Sequence, residues 1–185
     1  MEKESRKVVL YIACSLDGFI ANPNHQLDFL DLVAKEGEDY GYAQFQETVD
    51  TVIMGRKTYD KVLSLGVELP HAHKNTYILT RQPRPNKGHI QFYSGPIKDL
   101  IQKLKAENGL NIFCDGGAET ANELLRHNLI DEFIISIIPI LLGRGIKLFY
   151  QHRPELRLNL LSCQTFQSGL VQLHYQKPIN QTPKP

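Results

Sequence analysis

Between Asp50 and Asp60 the chain reads Asp-Thr-Val-Ile-Met-Gly-Arg-Lys-Thr-Tyr-Asp. Thr51 to Met54 is a short, mostly apolar run, the pattern of a buried strand. Gly55 ends it, and Tyr59, Val62 and Leu63 then recur at spacings of three and four. A strand that turns on a glycine straight into an amphipathic helix commits the chain to packing helices on a sheet. The turn carries two cations, Arg56 and Lys57, and a hydroxyl, Thr58, beside a helix start whose free N–H groups favour anions. It reads either as a phosphate seat or as a solvated basic turn before an ordinary helix. It is not a Walker A loop, which needs an adjacent Gly-Lys pair; Arg56 splits that pair here.

The rest of the chain repeats the alternation. Val8 to Cys14 reads as a buried strand, and Asp17-Gly18 as a tight turn between apolar arms. Leu27, Leu30 and Val33 have helical spacing, as do Tyr42, Phe45 and Val49, which predict a helix from Tyr42 to Val49. Asn75 to Leu79 and Ile90 to Tyr93 are short strands, and Pro83 and Pro85 stop the first. Ser94 is the expected cap of a helix with Ile97, Leu100, Ile101 and Leu104 inward, ended by Asn108-Gly109. Leu110 to Cys114 is a buried strand, Asp115-Gly116-Gly117 a sharp turn, and Ala118 to His127 a helix. Glu132 to Ile138 reads as a strand buried on both faces. Leu158 to Phe166 and Leu170 to Tyr175 form a terminal antiparallel hairpin. The fold class is α/β with a mostly parallel sheet: one domain over 1–178, then a polar, proline-rich tail, 179–185, read as disordered.

Ligands of open parallel sheets bind at the carboxyl ends of strands. Three such ends carry polar or glycine-rich turns: Gly55-Arg56-Lys57-Thr58, Thr80-Arg81-Gln82 and Asp115-Gly116-Gly117. A ligand with separated phosphates, a nucleotide, accounts for all three at once. Composition narrows the partners. The formal net charge of +1 over 185 residues has no basic block, so neither nucleic acid nor an anionic membrane is expected. No apolar run approaches a membrane span, and Met1 to Lys7 is polar with no signal-peptide core after it. Cys14 and Cys114 sit in strand-like runs and read as reduced core thiols of a cytoplasmic protein. His71 and His73 have no Cys or carboxylate cluster near them, so no metal is expected.

In this order the turns resemble the dihydrofolate reductase superfamily. The pieces are Ser15-Leu16-Asp17-Gly18-Phe19-Ile20-Ala21, Leu27-Asp28-Phe29-Leu30, Met54-Gly55-Arg56-Lys57-Thr58-Tyr59, Leu79-Thr80-Arg81, Asp115-Gly116-Gly117-Ala118 and Pro139 to Gly145. The likeness is to the small bacterial reductase-like proteins and to the reductase domain of the riboflavin-biosynthesis deaminase-reductase. It covers Val8 to Tyr175.

The resemblance implies a dihydrofolate-reductase-like, three-layer α/β/α fold with NADPH in a cleft across the sheet. Arg56 and Arg81 would meet the adenosine 2′-phosphate, which suits their forked donors. Gly55 would turn the chain, with Lys57 and Thr58 by the pyrophosphate and Leu79 and Thr80 beside them. Gly116-Gly117 resembles the family's cis Gly-Gly pair, followed by Ala118, Glu119 and Thr120 at the helix start below the pyrophosphate. Ala13, Ile20 and Ala21 would flank the nicotinamide. Dihydrofolate reductases proper carry an active-site tryptophan, and this chain has no Trp. Asp28 is the nearest acidic residue to the substrate position, or it caps its helix. The implied activity is hydride transfer from NADPH to a small pterin- or pyrimidine-like heterocycle or a sugar carbonyl. The alternatives are 5-amino-6-(5-phosphoribosylamino)uracil reduction, with Arg144 a candidate for the substrate phosphate, and a non-catalytic nucleotide-binding relative. A zinc deaminase signature is absent. A homodimer is expected, from the likeness and from the apolar hairpin positions Leu158, Leu160, Leu170, Val171 and Leu173.

Overall fold

The computed structural model describes residues 5–64, 66, 69–71, 73–152 and 155–178. Its centre is an eight-stranded sheet built from β1 (Val8–Ser15), β3 (Val49–Gly55), β4 (Asn75–Leu79), β5 (Ile90–Tyr93), β6 (Asn111–Gly116), β7 (Glu132–Ile138), β9 (Asn159–Thr165) and β10 (Val171–Gln176). The spatial order is β5-β4-β3-β6-β1-β7-β10-β9. From β5 to β7 every neighbouring pair is parallel. β10 runs antiparallel to β7 and β9, completing the predicted C-terminal hairpin. β2 (Phe19–Ala21) and β8 (Ile146–Lys147) form a separate antiparallel pair.

Alternation along the strands sorts the core into two faces. Val8, Leu10, Ile53, Ile112 and Cys114 pack with Leu100, Ile101 and Leu104 of α3 (Ile97–Ala106) and with Ala121 and Leu124 of α4 (Ala118–Arg126). On the other face Val9, Val52 and Phe113 meet Phe45 of α1 (Tyr42–Glu47), and Met54 and Ile78 meet Tyr59 of α2 (Arg56–Ser64). Phe29 and Val33, from a 3-10 helix over Asp28–Val33, pack on Ile138 and Leu170. Helices on both faces of a mostly parallel sheet are the expected three-layer α/β/α fold.

Several expectations are corrected. The Asp17-Gly18 turn forms, with Gly18 at φ +84, but its arms do not pair with each other; β2 pairs with β8 instead. The tighter 3-10 winding buries Phe29 and Val33 and leaves Leu27 53% exposed. The helix from Tyr42 stops at Glu47, and Val49 opens β3. Arg56 and Lys57 lie in the first turn of α2, not in a loop before it. Pro96, not Ser94, caps α3, and no side chain bonds to the cap. Leu110 is exposed, and β6 runs on through Asp115 and Gly116. In β7 only Phe133, Ser136 and Ile138 are fully buried; the intervening isoleucines are half-buried. No peptide bond among the described residues is cis, so Gly116–Gly117 is trans, and Gly116 makes the turn with φ +94 instead. The tail from 179 lies outside the described residues.

Candidate functional site

The three polar strand ends come together because β4, β3 and β6 are adjacent and parallel. Gly55 pairs with Leu79 and Met54 with Gly116, which brings the ends to one level. Next to them the sheet splits. β1 and β6 pair only as far as Leu10 and Cys114; β1 then continues along β7, and β6 along β3. The gap opens at the carboxyl ends, where open sheets of this kind bind ligands.

The wall on the β3–β6 side is built from small residues at close approach. A Cβ on Gly55 would stand 2.7 Å from Thr120 Oγ1, and one on Gly117 3.1 Å from Thr58 Oγ1. Gly117 is the N-cap residue of α4 and has no side chain to satisfy the first-turn N–H groups, which are left facing outward for an anion. Its own N–H donates to Thr58 Oγ1 at 3.1 Å, tying the start of α4 to the start of α2. Lys57 and Glu119 form an ion pair across the same two helix starts. Ala118 and Thr120 are buried beneath them.

At the β4 end, the Thr80 N–H donates to Tyr93 O at 2.9 Å and the Thr80 hydroxyl donates to Gln82 O at 3.0 Å. Arg81 follows, exposed. Arg56 pairs with Asp60 one turn along α2, and Arg84 reaches the same carboxylate at 3.4 Å while lying over the Phe92 ring. Arg84 was not singled out in the sequence, where it stands between two prolines with nothing to mark it. These cations and the Gly-lined helix start fit a dinucleotide phosphate chain.

On the far side of the split, Ala13 of β1 pairs with Ser136, while Ile20 and Ala21 sit on β2. Asp28 is exposed at the head of the 3-10 helix that packs over Ala13. Arg144 is exposed in the turn before β8, away from any described partner.

The sequence reading also passed over Asp115 as a functional group. Ile53 pairs with Cys114 and Met54 with Gly116, so Asp115 is the extra residue of a bulge at the split. Burial pushes its carboxyl up to about 7, and no described group hydrogen-bonds to it. Burial, and then the Asp115 charge, raise the Tyr42 hydroxyl. The Tyr42 hydroxyl is 3.0 Å from His71 Nε2, and burial pushes that imidazole down to about 4, keeping it neutral. Tyr11 donates to Tyr40 O and accepts from Gln172 Nε2, both at 3.0 Å, on the same face. A recessed carboxyl that is half-protonated near neutrality can give a proton to a reacting nitrogen or oxygen. An acidic residue ending the apolar run Ile112-Phe113-Cys114 was the available sequence signal. Among the described residues, no helix is long and apolar enough to cross a membrane, and no three His, Cys, Asp or Glu side chains gather to hold a metal.

Comparison with known proteins agrees with this architecture. The uncharacterised protein YwjB of Bacillus subtilis is 44% identical over 171 residues, covering 92% of this chain and 97% of its own. The solved structure of a putative riboflavin biosynthesis protein from Shewanella sp. PV-4 superposes with a TM-score of 0.85 at 32% identity, over 93% of this chain and 99% of that one. A diaminohydroxyphosphoribosylaminopyrimidine deaminase/5-amino-6-(5-phosphoribosylamino)uracil reductase from Thermotoga maritima shares the fold, with a TM-score of 0.70 at 12% identity, over 95% of this chain and 57% of that one. The family model described as the RibD C-terminal domain matches residues 6–172, and the chain belongs to that family.

Proposed function

We propose that the protein is an NADPH-dependent reductase of the riboflavin-pathway kind, acting on 5-amino-6-(5-phosphoribosylamino)uracil or a close heterocyclic relative. The observation that carries this reading is the sheet split between β1 and β6, with the uncapped start of α4 on one wall and the Asp115 carboxyl at its base. Family membership favours the riboflavin-pathway substrate over the broader pterin or sugar-carbonyl class. When bound, NADPH supplies the hydride that reduces a carbon–nitrogen or carbon–oxygen double bond, whose heteroatom then takes a proton.

In this reading the free N–H groups at the start of α4, with Lys57 and Thr58, hold the pyrophosphate. Arg56, Arg81 and Arg84 hold the 2′-phosphate. Ala13, Ile20 and Ala21 form a close apolar wall for the nicotinamide. Asp115 gives the proton, and Asp28 faces the substrate from the rim. A panel of phosphoribosylamino-pyrimidines, pterins and sugar carbonyls, followed by NADPH absorbance, tests the reading. Oxidation with the first class is the expected result, and NADPH binding with no oxidation by any class would instead mark a non-catalytic nucleotide-binding relative.

Two further expectations belong here. Arg56→Ala should cut the preference for NADPH over NADH by about tenfold, the worth of one charge-assisted phosphate contact. An unchanged affinity ratio by calorimetry would remove Arg56 from the phosphate site. The protein should also be a homodimer, working in the cytoplasm where Cys14 and Cys114 stay reduced. Leu170 is buried within its own chain and cannot serve the interface, but β9 is an edge strand exposed at every position, with Leu160 and Leu161 55% and 49% exposed. Such an edge invites pairing. Light scattering at micromolar concentration should give twice the chain mass, and a monomer mass would contradict it.

A further inference from the structure

The segment bearing Ile20 and Ala21 takes no part in the main sheet; β2 is hydrogen-bonded to β8 instead. Its backbone pairing is therefore to the chain leaving β7. Three backbone features make that join. Leu16 N–H donates to Ile140 O and Leu148 N–H to Gly18 O, both at 2.9 Å, and Gly145 lies so close to Ala21 O that a Cβ there would stand 2.1 Å away. Side chains add to them: Lys147 Nζ lies over the Phe19 ring, 5.7 Å from its centroid, and Asp17 bonds both segments. Asp17 Oδ1 accepts from Ser15 Oγ at 2.5 Å and from Leu142 N–H at 3.1 Å, and Oδ2 accepts from Gly143 N–H at 2.7 Å. Ser15 Oγ in turn accepts from Phe19 N–H at 2.9 Å. Asp17 thus holds the turn before β2 and the turn before β8 in one register, with both carboxylate oxygens used. The Ser15 hydroxyl, with help from the two backbone N–H groups, keeps the carboxyl below the ordinary carboxylate range.

We infer that Asp17 is a positioning residue for the nicotinamide half of the cofactor site: it touches no reacting atom but fixes β2 against β8. The inference rests on the reading of the split as an NADPH cleft. It has a spatial consequence. β1 and β4 are three strand spacings apart, about 14 Å, and β1 and β3 two, so loosening the β2–β8 pair leaves the Arg81 and Arg56 end undisturbed, while α4 is held to the chain after β8 by Asn122, which bonds Leu148 O and Tyr150 N–H without using Asp17. Loss of Asp17 should then weaken the whole cofactor and spare its adenosine half.

The test titrates wild type, Asp17→Asn and Asp17→Ala with NADPH and separately with 2′,5′-ADP, by calorimetry, and records the melting temperature of each unliganded protein. Asn keeps one acceptor oxygen but turns a donor toward a backbone N–H, so it should fold where Ala is marginal. The expected result is an NADPH affinity lower by about tenfold in both variants, with 2′,5′-ADP affinity unchanged. Equal weakening of both ligands, in step with a lower melting temperature, would reduce Asp17 to a structural tie and overturn the inference, as would no change in either. Wild type that binds neither ligand would overturn the cofactor reading itself, and the inference with it.

Discussion

Asp115→Asn is expected to lower turnover by about two to four orders of magnitude, the usual worth of a positioned general acid, with little change in NADPH affinity. The reason is the surroundings of the carboxyl: a bulge residue at the sheet split, recessed, with no hydrogen-bond donor among the described residues, and raised to about 7 by burial. The pH dependence follows from that direction. The protonated acid is present below about 7, so wild-type turnover should fall as pH rises through this value, and the residual turnover of the Asn variant should lose that limb.

Wild-type stability should fall with rising pH as well. The folded-state value lies above the unfolded one, so Asp115 contributes fully at pH below the ordinary carboxylate range. That contribution is lost as pH rises toward about 7. Asn cannot ionise, so the variant should melt higher than wild type above neutrality and level with it in acid. Calorimetry at both pH values, beside the activity profile, separates the readings. A variant that is active, or that is less stable at every pH, would make Asp115 a structural carboxyl.

The second large effect separates two neighbouring glycines. Gly116 has φ +94, where a side chain costs about 1–2 kcal/mol, so Gly116→Ala should lower the melting temperature of the unliganded protein by several degrees. Gly117, at φ −46 and ψ −174, has a backbone open to alanine. Its added Cβ would press on Thr58 Oγ1, 3.1 Å away, and stand before the free N–H groups of α4. Gly117→Ala should therefore leave the melting temperature nearly unchanged and weaken NADPH binding by about tenfold or more. If Gly117→Ala instead melts early and binds normally when folded, the pair is a turn and no more.

The contrast between these residues shows what the sequence could and could not carry. Leu100, Ile101 and Leu104 announce α3 because a helix face repeats in the sequence itself, and the strand runs are apolar because both sheet faces are covered. The Gly116-Gly117 turn was legible in place, but its geometry, a trans bond with Gly116 at φ +94, was not. Asp115 looked like the first residue of a turn; only the pairing of Met54 with Gly116 makes it a bulge, and only the parting of β1 from β6 makes it the base of a cleft. Arg84 joins Arg56 through a shared Asp60 that the sequence places well apart from it. Asp17 was read for its turn, while its partners Leu142 and Gly143 lie on a segment brought alongside by β7. Contacts between distant segments are set by register, and register is a property of the assembled sheet.

A calorimetric titration of the unliganded wild-type protein with NADPH and, separately, with NADH tests the cofactor cleft most directly. One site per chain is expected, with tighter binding of NADPH, by about tenfold or more if even one arginine grips the 2′-phosphate. No heat with either dinucleotide, or equal affinity for the two, would contradict it.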